Sequence, residues 1–162
     1  MTDSASTSDR TPGSGGRRQR VAVMHGVNLD MLGRRDPAHY GRLDFTEVEL
    51  KIAEFGSELG LDLRFFQTNY EGDYVEELHK APDIADALLL NPGAWTHYAW
   101  AIHDALEVAG LPAVEVHLSD VAKREPWRRQ SVIADLCVAT FAGKGVEGYR
   151  DGLQRLAQEL TA

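Results

Sequence analysis

A tyrosine follows two adjacent arginines in the segment HGVNLDMLGRRDPAHYG, residues 25–41. Guanidinium groups keep their own proton and favour the ionised form of a neighbouring phenol. Arg34 and Arg35 are within loop reach of Tyr40, so the segment could hold a tyrosinate that acts as a base. Alternatively, the tyrosine packs over the loop and the arginines are solvated. The spacing alone leaves both interpretations open.

A second candidate is His117, which stands near the end of the apolar run AVEVHL, two residues after Glu115. Alternate side chains of a strand share one face. A carboxylate beside an imidazole fixes its tautomer and favours its protonated form, which suits a general acid. The alternative is a histidine at a strand end that bonds to a neighbouring carbonyl group.

The segment NPGAWTH, residues 91–97, indicates an anion site. Thr96 is predicted as the N-cap of the next helix, where free N–H groups and the helix dipole favour negative charge. A neutral His97 together with Asn91 could bind a carboxylate there, and Asp104 lies two helical turns further on. A histidine in this position can equally have a structural role.

Three further arginines could reach the same region. Arg124 and Arg128 are predicted to share a helix face and, with Arg129, form either a clamp for anions and hydroxyls or a solvated basic face. The first apolar run is not followed by a dinucleotide-binding glycine pattern, and the chain has neither a P-loop nor a nucleophile elbow. No histidine pair has the spacing of a zinc site, so no metal is expected. Four histidines are predicted to lie on the surface or behind the site: His25, His39, His79 and His103.

Composition excludes several classes of partner. The net charge of −8 argues against a nucleic-acid partner, although a local arginine cluster can still bind a small anion. No apolar stretch is long enough to cross a membrane. The one cysteine, Cys137, is predicted to be a buried inert thiol, which fits a reducing cytoplasm. Residues 1–19 lack apolar periodicity and are predicted to be a disordered tail before a domain over residues 20–162.

Short apolar runs alternate with amphipathic helical patterns along that domain. Most runs are continuously apolar, as in parallel strands covered on both faces. The pattern predicts an α/β fold, a flavodoxin-like doubly wound five-stranded parallel sheet in a single domain. Ligands of such sheets bind outside the carboxyl ends of the strands, so the loops after the first four strands should converge on one crevice. The predicted strands cover residues 20–25, 61–67, 87–91, 113–118 and 137–143.

Five motifs resemble, in order and spacing, those of the type II 3-dehydroquinate dehydratases. They are HGVNLDMLGRRDPAHYG, QTNYEG, NPGAWTH, VEVHLSD followed by REPWRR, and GVEGY, and the resemblance covers residues 20 to 160. It implies dehydration of 3-dehydroquinate, a small anionic substrate, to 3-dehydroshikimate by anti elimination through an enolate. It also implies a homododecamer, a tetramer of trimers, without cofactor or metal. The pathway is either shikimate and aromatic amino acid biosynthesis or quinate catabolism.

The same resemblance implies roles for individual residues. Tyr40 would be the base that takes the proton next to the ketone, and Arg35 would keep it ionised. His117, oriented by Glu115, would protonate the departing hydroxyl, and Asn28 would stabilise the enolate oxygen. The first loop would close as a lid over the substrate. The substrate would be bound by Asn91, His97, the backbone of Leu118, Ser119 and Arg128, and by Asp104 across the trimer interface.

The chain departs from the usual family pattern at several positions. A carboxylate at Asp120 could weaken the binding of an anionic substrate if it points inward. Trp95, Tyr98 and Trp100 are predicted to make the mouth of the site bulkier. Two alternatives therefore stay open: a paralogue acting on a related cyclohexane carboxylate, and a non-catalytic flavodoxin-like module that binds a ligand or a protein. The departures are Val27 for proline, Asp36 for glutamate, Tyr98-Ala99 for Thr-Ser and Asp120 for asparagine.

Overall fold

The computed structural model describes residues 16–162. Most of the predicted tail over residues 1–19 therefore lies outside the described residues. Its last four residues lead directly into the first strand. There the Arg17 guanidinium pairs with Asp86 at 2.9 Å, and the Gln19 carbonyl accepts a hydrogen bond from the Asp62 N–H at 2.9 Å.

Five parallel strands form one sheet: β1 (Arg20–His25), β2 (Asp62–Gln67), β3 (Ala87–Asn91), β4 (Ala113–His117) and β5 (Ala139–Ala142). Their order is β2-β1-β3-β4-β5, which confirms the predicted doubly wound sheet. Strands β1, β3 and β4 are buried along almost their whole length because helices cover both faces. Strands β2 and β5 are the edges and are only partly buried.

The helices pack in two layers, one on each face of the sheet. They are α1 (Pro37–Tyr40), α2 (Phe45–Glu58), α3 (Glu71–Ile84), α4 (Trp100–Ala109) and α5 (Glu147–Thr161). Helices α2 and α5 bury residues such as Ile52 and Leu153 against one face. Helices α3 and α4 bury Leu78 and Ile102 against the other face. None of the helices in residues 16–162 is both long enough and apolar enough to cross a membrane.

Short 3-10 turns occupy much of the carboxyl edge of the sheet, and two predictions are wrong there. Thr96 does not cap α4, whose N-cap is Ala99, because residues 93–97 form a separate 3-10 turn. Arg124 and Arg128 do not share a helix face: Arg124 follows one turn as its C-cap and Arg128 lies in the next turn, since Pro126 interrupts a continuous helix. The turns are Leu29–Met31, Gly93–His97, Val121–Lys123, Pro126–Arg129 and Ala134–Leu136.

Two glycines let the loop after β1 lie directly against the loop after β3. A Cβ atom on Gly26 would lie 2.2 Å from the Pro92 carbonyl oxygen, and one on Gly93 would lie 2.5 Å from the Val27 carbonyl oxygen. Gly93 also has a φ of +69°, in the left-handed region. The Gly26 N–H donates to the Asn91 carbonyl at 2.8 Å. The root of the long first loop is therefore fixed.

The single cysteine is half-buried rather than fully buried. Burial raises the pKa of the Cys137 thiol to about 12, and the nearby Glu115 and Asp135 carboxylates add to that effect. The thiol therefore stays protonated and is a poor nucleophile.

Candidate active site

A cleft opens at the carboxyl edge of the sheet, beside the point where the strand order reverses between β1 and β3. The empty space between its walls, counted together with the solvent at its open mouth, is about 360 Å³. The loops after β1, β3 and β4 supply its walls. The cleft is lined by Leu29, Arg35, Tyr40, Asn91, Gly93, Ala94, His97, His117, Leu118, Ser119, Val121 and Arg128.

The loop after β2 was predicted to converge on the same crevice, and it does not line the cleft. Instead it supports the first loop from outside. The Asn69 amide oxygen accepts a hydrogen bond from the Asn28 N–H at 2.8 Å, and its amide nitrogen donates to Asp30 at 3.0 Å. The edge position of β2 explains the difference, because its carboxyl end lies beyond β1 and away from the switch point.

Tyr40 stands at the end of the short helix α1, which begins at Pro37. Arg35 Nη2 donates a hydrogen bond to Tyr40 Oη at 2.7 Å. The Arg35 guanidinium carbon lies 3.8 Å from the centre of the tyrosine ring. Arg34 is exposed and does not line the cleft. Of the two adjacent arginines, the second therefore contacts the tyrosine.

Arg124 makes a second contact to the same hydroxyl, a role that its position in the sequence did not indicate. Its Nη1 donates to Tyr40 Oη, and its guanidinium carbon lies 5.0 Å from the ring centre. Its side chain is only 9% exposed, so water screens this charge weakly. The sequence indicated Arg124 only as a member of the cluster with Arg128 and Arg129. That cluster is compatible with a clamp for anions and hydroxyls or with a solvated basic face.

Three guanidinium groups give this side of the cleft a positive charge. Burial lowers the pKa of Arg35 below its ordinary value, a phenolate at Tyr40 opposes that effect, and repulsion from Arg128 and Arg124 adds to it. Arginine remains charged nonetheless, because its ordinary pKa is far above neutrality. The cleft can therefore attract an anion although the chain carries a net charge of −8.

The imidazole of His117 is backed by a buried carboxylate. His117 Nε2 donates to Glu115 Oε1 at 2.6 Å. Glu115 is 1% exposed and lies on the same face of β4, behind the ring rather than in the cleft. This pairing fixes Nε2 as a donor and leaves Nδ1 of His117 for a bound molecule.

His97 is held in one tautomer by the main chain. Its Nδ1 lies 2.6 Å from the Gln130 carbonyl oxygen, which can only accept, so Nδ1 carries the proton. Its ring stacks on that of His117 with 6.0 Å between the ring centres. Burial lowers the pKa of His97 against the effect of the Gln130 bond, and repulsion from His117 and Arg128 lowers it further. A neutral His97 therefore offers Nε2 as an acceptor.

Asn91 is hydrogen-bonded to the buried Tyr149 behind the cleft and through it is linked to the buried His25. The Gly93 N–H donates to Asn91 Oδ1 at 3.3 Å, which orients the amide so that Nδ2 donates to Tyr149 Oη at 2.9 Å. Tyr149 can then give its own hydroxyl proton to His25 Nε2, 2.9 Å away. Burial lowers the pKa of His25 to about 3, so this histidine is a neutral acceptor.

Eight of the eleven predicted site residues line the cleft. Glu115 supports it from behind, whereas Asn28 and Asp104 do neither. Asn28 is exposed in a left-handed conformation with a φ of 66°. The Asp104 side chain is 80% exposed on α4, where it lies 3.2 Å from His103. Asp104 therefore does not reach the cleft of its own protomer.

The two acidic departures from the family pattern have local partners. Asp120 pairs with Lys123 at 3.3 Å and does not line the cleft, so its charge does not point at a bound anion. The Asp36 carboxylate accepts a hydrogen bond from the Ala38 N–H at 2.9 Å and so caps α1.

The expectation that three aromatic residues narrow the mouth of the site is wrong. Trp95 is 5% exposed and packs in the core, with its ring centre 5.8 Å from that of Tyr74. Tyr98 and Trp100 are each 58% exposed and lie outside the cleft lining. The large ring of Trp95 gains more from burial against apolar neighbours than from exposure at an open rim.

Comparisons with known proteins agree on one family. The model of the family "Dehydroquinase class II" matches residues 19–157. The 3-dehydroquinate dehydratase of Pelobacter propionicus is 43% identical over 145 residues, which cover 89% of this chain and 97% of the relative. That of Syntrophotalea carbinolica is 46% identical over 136 residues, 83% and 92% of the two chains. The crystal structure of the type II dehydroquinase from Propionibacterium acnes aligns with a TM-score of 0.81 and 39% identity, over 86% of this chain and 97% of that chain.

Proposed function

Because the chain belongs to the class II dehydroquinase family, we propose that it is a hydro-lyase that converts 3-dehydroquinate to 3-dehydroshikimate. One observation supports this most directly: Tyr40 and His117 line the same cleft with oppositely charged partners. Loss of water from a hydroxy ketone needs a base for the proton next to the ketone and an acid for the departing hydroxyl.

Tyr40 is the proposed base. Arg35 and Arg124 both donate to its oxygen and have no acceptor for a hydroxyl proton, an arrangement that favours the phenolate. The phenolate takes the proton next to the ketone, and the electron pair of the broken C–H bond forms the enolate. The long first loop, fixed at Gly26, acts as a lid that excludes water from this step.

His117 is the proposed acid. Its Nδ1 gives a proton to the departing hydroxyl while the enolate collapses, so the C–O bond breaks and water leaves. Glu115 stabilises the protonated ring before transfer and fixes its orientation. Tyr40 retains the proton it removed, and exchange with solvent restores both groups. Proton and hydroxyl leave from opposite faces of the ring, as an anti elimination requires.

The remaining cleft groups bind the substrate in this proposal. The Leu118 backbone and Ser119 hold the carboxylate together with Asn91, and the neutral His97 accepts from a ring hydroxyl. Arg128 donates to the other hydroxyls. Asn28, which lies outside the cleft lining, acts on the enolate oxygen through a water molecule.

The position of Asp104 bears on assembly. Its exposed carboxylate does not reach its own cleft, so a role in catalysis requires a neighbouring copy. We propose trimers in which Asp104 of one copy faces the substrate of the next, packed into a cytoplasmic dodecamer. The reaction uses no cofactor or metal in this proposal.

Turnover is tested by adding 3-dehydroquinate and following the ultraviolet absorbance of the conjugated enone carboxylate. We expect Tyr40→Phe to abolish turnover but to bind the product within a few-fold, because the ring remains. Tyr70→Phe, at a side chain 73% exposed, is the matched control and should keep full activity. His117→Ala should also be inactive, because it lacks the acid.

Two results would contradict the proposal. Absence of an absorbance change at high enzyme concentration would exclude this substrate. Inactivation by borohydride in the presence of substrate would show an imine intermediate, which the proposed mechanism does not contain.

A further inference from the structure

The segment 130–134 lies behind both cleft histidines and contributes no residue to the cleft lining. Val132 and Ile133 fix it in the core, with exposures of 2% and 0%. The Val132 N–H also donates to the Thr96 carbonyl at 2.8 Å. The Gln130 carbonyl at the start of the segment accepts from His97 Nδ1 and so fixes the tautomer of that ring. The segment is therefore firmly placed and in contact with the site.

The Ser131 hydroxyl within this segment has a fixed direction. Its oxygen accepts hydrogen bonds from the N–H groups of Ile133 at 3.3 Å and Ala134 at 3.1 Å. A hydroxyl has a single donor hydrogen. That hydrogen is directed at Glu115 Oε2, 2.9 Å away.

This contact completes the hydrogen bonding of a buried carboxylate. Glu115 Oε1 accepts from His117, and Oε2 accepts from Ser131 and from the Thr140 hydroxyl at 3.3 Å. A buried charge is tolerated only when it is paired and hydrogen-bonded. Loss of a donor would make the ionised carboxylate less stable and weaken its support of a protonated His117.

We propose that Ser131 is a positioning residue for the acid step, whose hydroxyl holds the Glu115 carboxylate in place against His117, the group that delivers the proton. This inference rests on the dehydration proposed above. Ser131 touches neither the cleft nor the reacting atoms and acts only through Glu115. The charged or titratable groups around His117 are Glu115 on its own strand and His97, Tyr40, Arg35 and Arg128 from the surrounding loops.

Steady-state kinetics across pH test this role. We expect Ser131→Ala to lower kcat by about tenfold or more with KM within about twofold, as for a lost hydrogen bond to a buried charge. The alkaline limb of the kcat profile should move to lower pH, because His117 loses its proton more easily. Ser131→Thr retains the hydroxyl and should restore both properties. Thr140→Val removes the longer bond and should give a smaller shift in the same direction.

Chemical labelling separates this inference from the activity itself. Diethyl pyrocarbonate acylates only an unprotonated imidazole nitrogen, so residue-resolved labelling across pH reports when His117 loses its proton. We expect the His117 midpoint at lower pH in Ser131→Ala than in the original chain, with the exposed His39 unchanged as internal control. A shifted midpoint in a protein without dehydratase activity would reject the proposed function and still support the role of Ser131.

The same measurements also define the results that would overturn the role of Ser131. Unchanged labelling and unchanged kcat in a folded Ser131→Ala protein would overturn the inference, as would an equal loss of kcat in Ser131→Thr. If Ser131→Ala does not fold, Thr140→Val decides by the same two measurements: a shift to lower pH supports the inference, and no shift overturns it.

Discussion

His25 is a fully buried neutral histidine, and we expect its titration to limit stability on the acid side. Burial lowers its pKa to about 3, whereas an unperturbed histidine titrates near pH 6.5. Its Nε2 accepts a hydrogen bond from the Tyr149 hydroxyl. Its Nδ1 is buried without a hydrogen-bond partner in the part of the chain that the structure describes. A proton on this ring would therefore place an uncompensated charge in the core.

The sign and size of the effect follow from proton linkage. Below about pH 6.5 the unfolded chain binds a proton at His25 that the native chain does not bind, so the free energy of unfolding falls with falling pH. The slope approaches about 1.4 kcal/mol per pH unit, and the loss between about pH 6.5 and about pH 4.5 is about 2 kcal/mol per protomer. The lowered pKa of His97 acts in the same direction. Carboxylates with a lowered pKa, such as Asp86, contribute only near and below about pH 4.

The measurement is guanidinium unfolding followed by tryptophan fluorescence at one protein concentration, because the stability of the proposed assembly would depend on concentration. His25→Gln keeps an acceptor for the Tyr149 hydroxyl but removes the titrating ring. Its free energy of unfolding should therefore fall by about 2 kcal/mol less across the window than that of the original chain. His39→Gln, at an exposed side chain, is the matched control. A His25→Gln curve parallel to that of the original chain would refute the assignment.

Two further substitutions test contacts that the first loop makes, one at its tyrosine and one at its root. Arg124→Lys keeps the charge but loses the planar guanidinium on Tyr40, so we expect kcat to fall about 10- to 100-fold in the absorbance assay; an unchanged kcat would remove Arg124 from the site. Gly26→Ala places a Cβ atom 2.2 Å from the Pro92 carbonyl oxygen, so we expect the free energy of unfolding to fall by about 1–3 kcal/mol. Gly72→Ala, where a Cβ atom meets open space, is the control and should be at least as stable as the original chain; equal stability of the two alanine variants would contradict the clash.

The sheet was predictable because parallel strands covered on both faces must be apolar along their length. Strands β1 and β3 were predicted with the bounds that the structure has. The edge strand β5 is shorter than predicted, Ala139–Ala142 instead of residues 137–143. Cys137 was included in the predicted strand because it is apolar. In the structure it packs against the core beside the sheet and does not pair with a strand. An apolar run in the sequence indicates which residues are buried. At the edge of a sheet, the buried residues extend beyond those that pair with the neighbouring strand.

Contacts within one loop were visible in the sequence, whereas contacts between loops were not. Arg35 lies five residues from Tyr40, close enough for spacing to indicate the pair. Arg124 lies 84 residues from the same hydroxyl, and only the order of the strands brings it there. Ser131 was missed for the same reason. Its contact with Glu115 joins the loop between two 3-10 turns to a strand, and no periodicity relates the two.

The proposed mechanism requires an inverted distribution of protons, and its base and its acid have neighbours of opposite charge. In water a proton prefers tyrosine to histidine by about 3.5 pKa units, or about 5 kcal/mol. A tyrosinate base and a protonated histidine acid at the same pH reverse that preference. Two guanidinium groups donate to the Tyr40 oxygen, and a carboxylate that accepts from two hydroxyls pairs with His117. The two arginines act on Tyr40 alone, and the carboxylate with its two hydroxyls acts on His117 alone. Substitutions in either set should therefore narrow the pH range of activity, from the acid side for the arginines and from the alkaline side for Ser131.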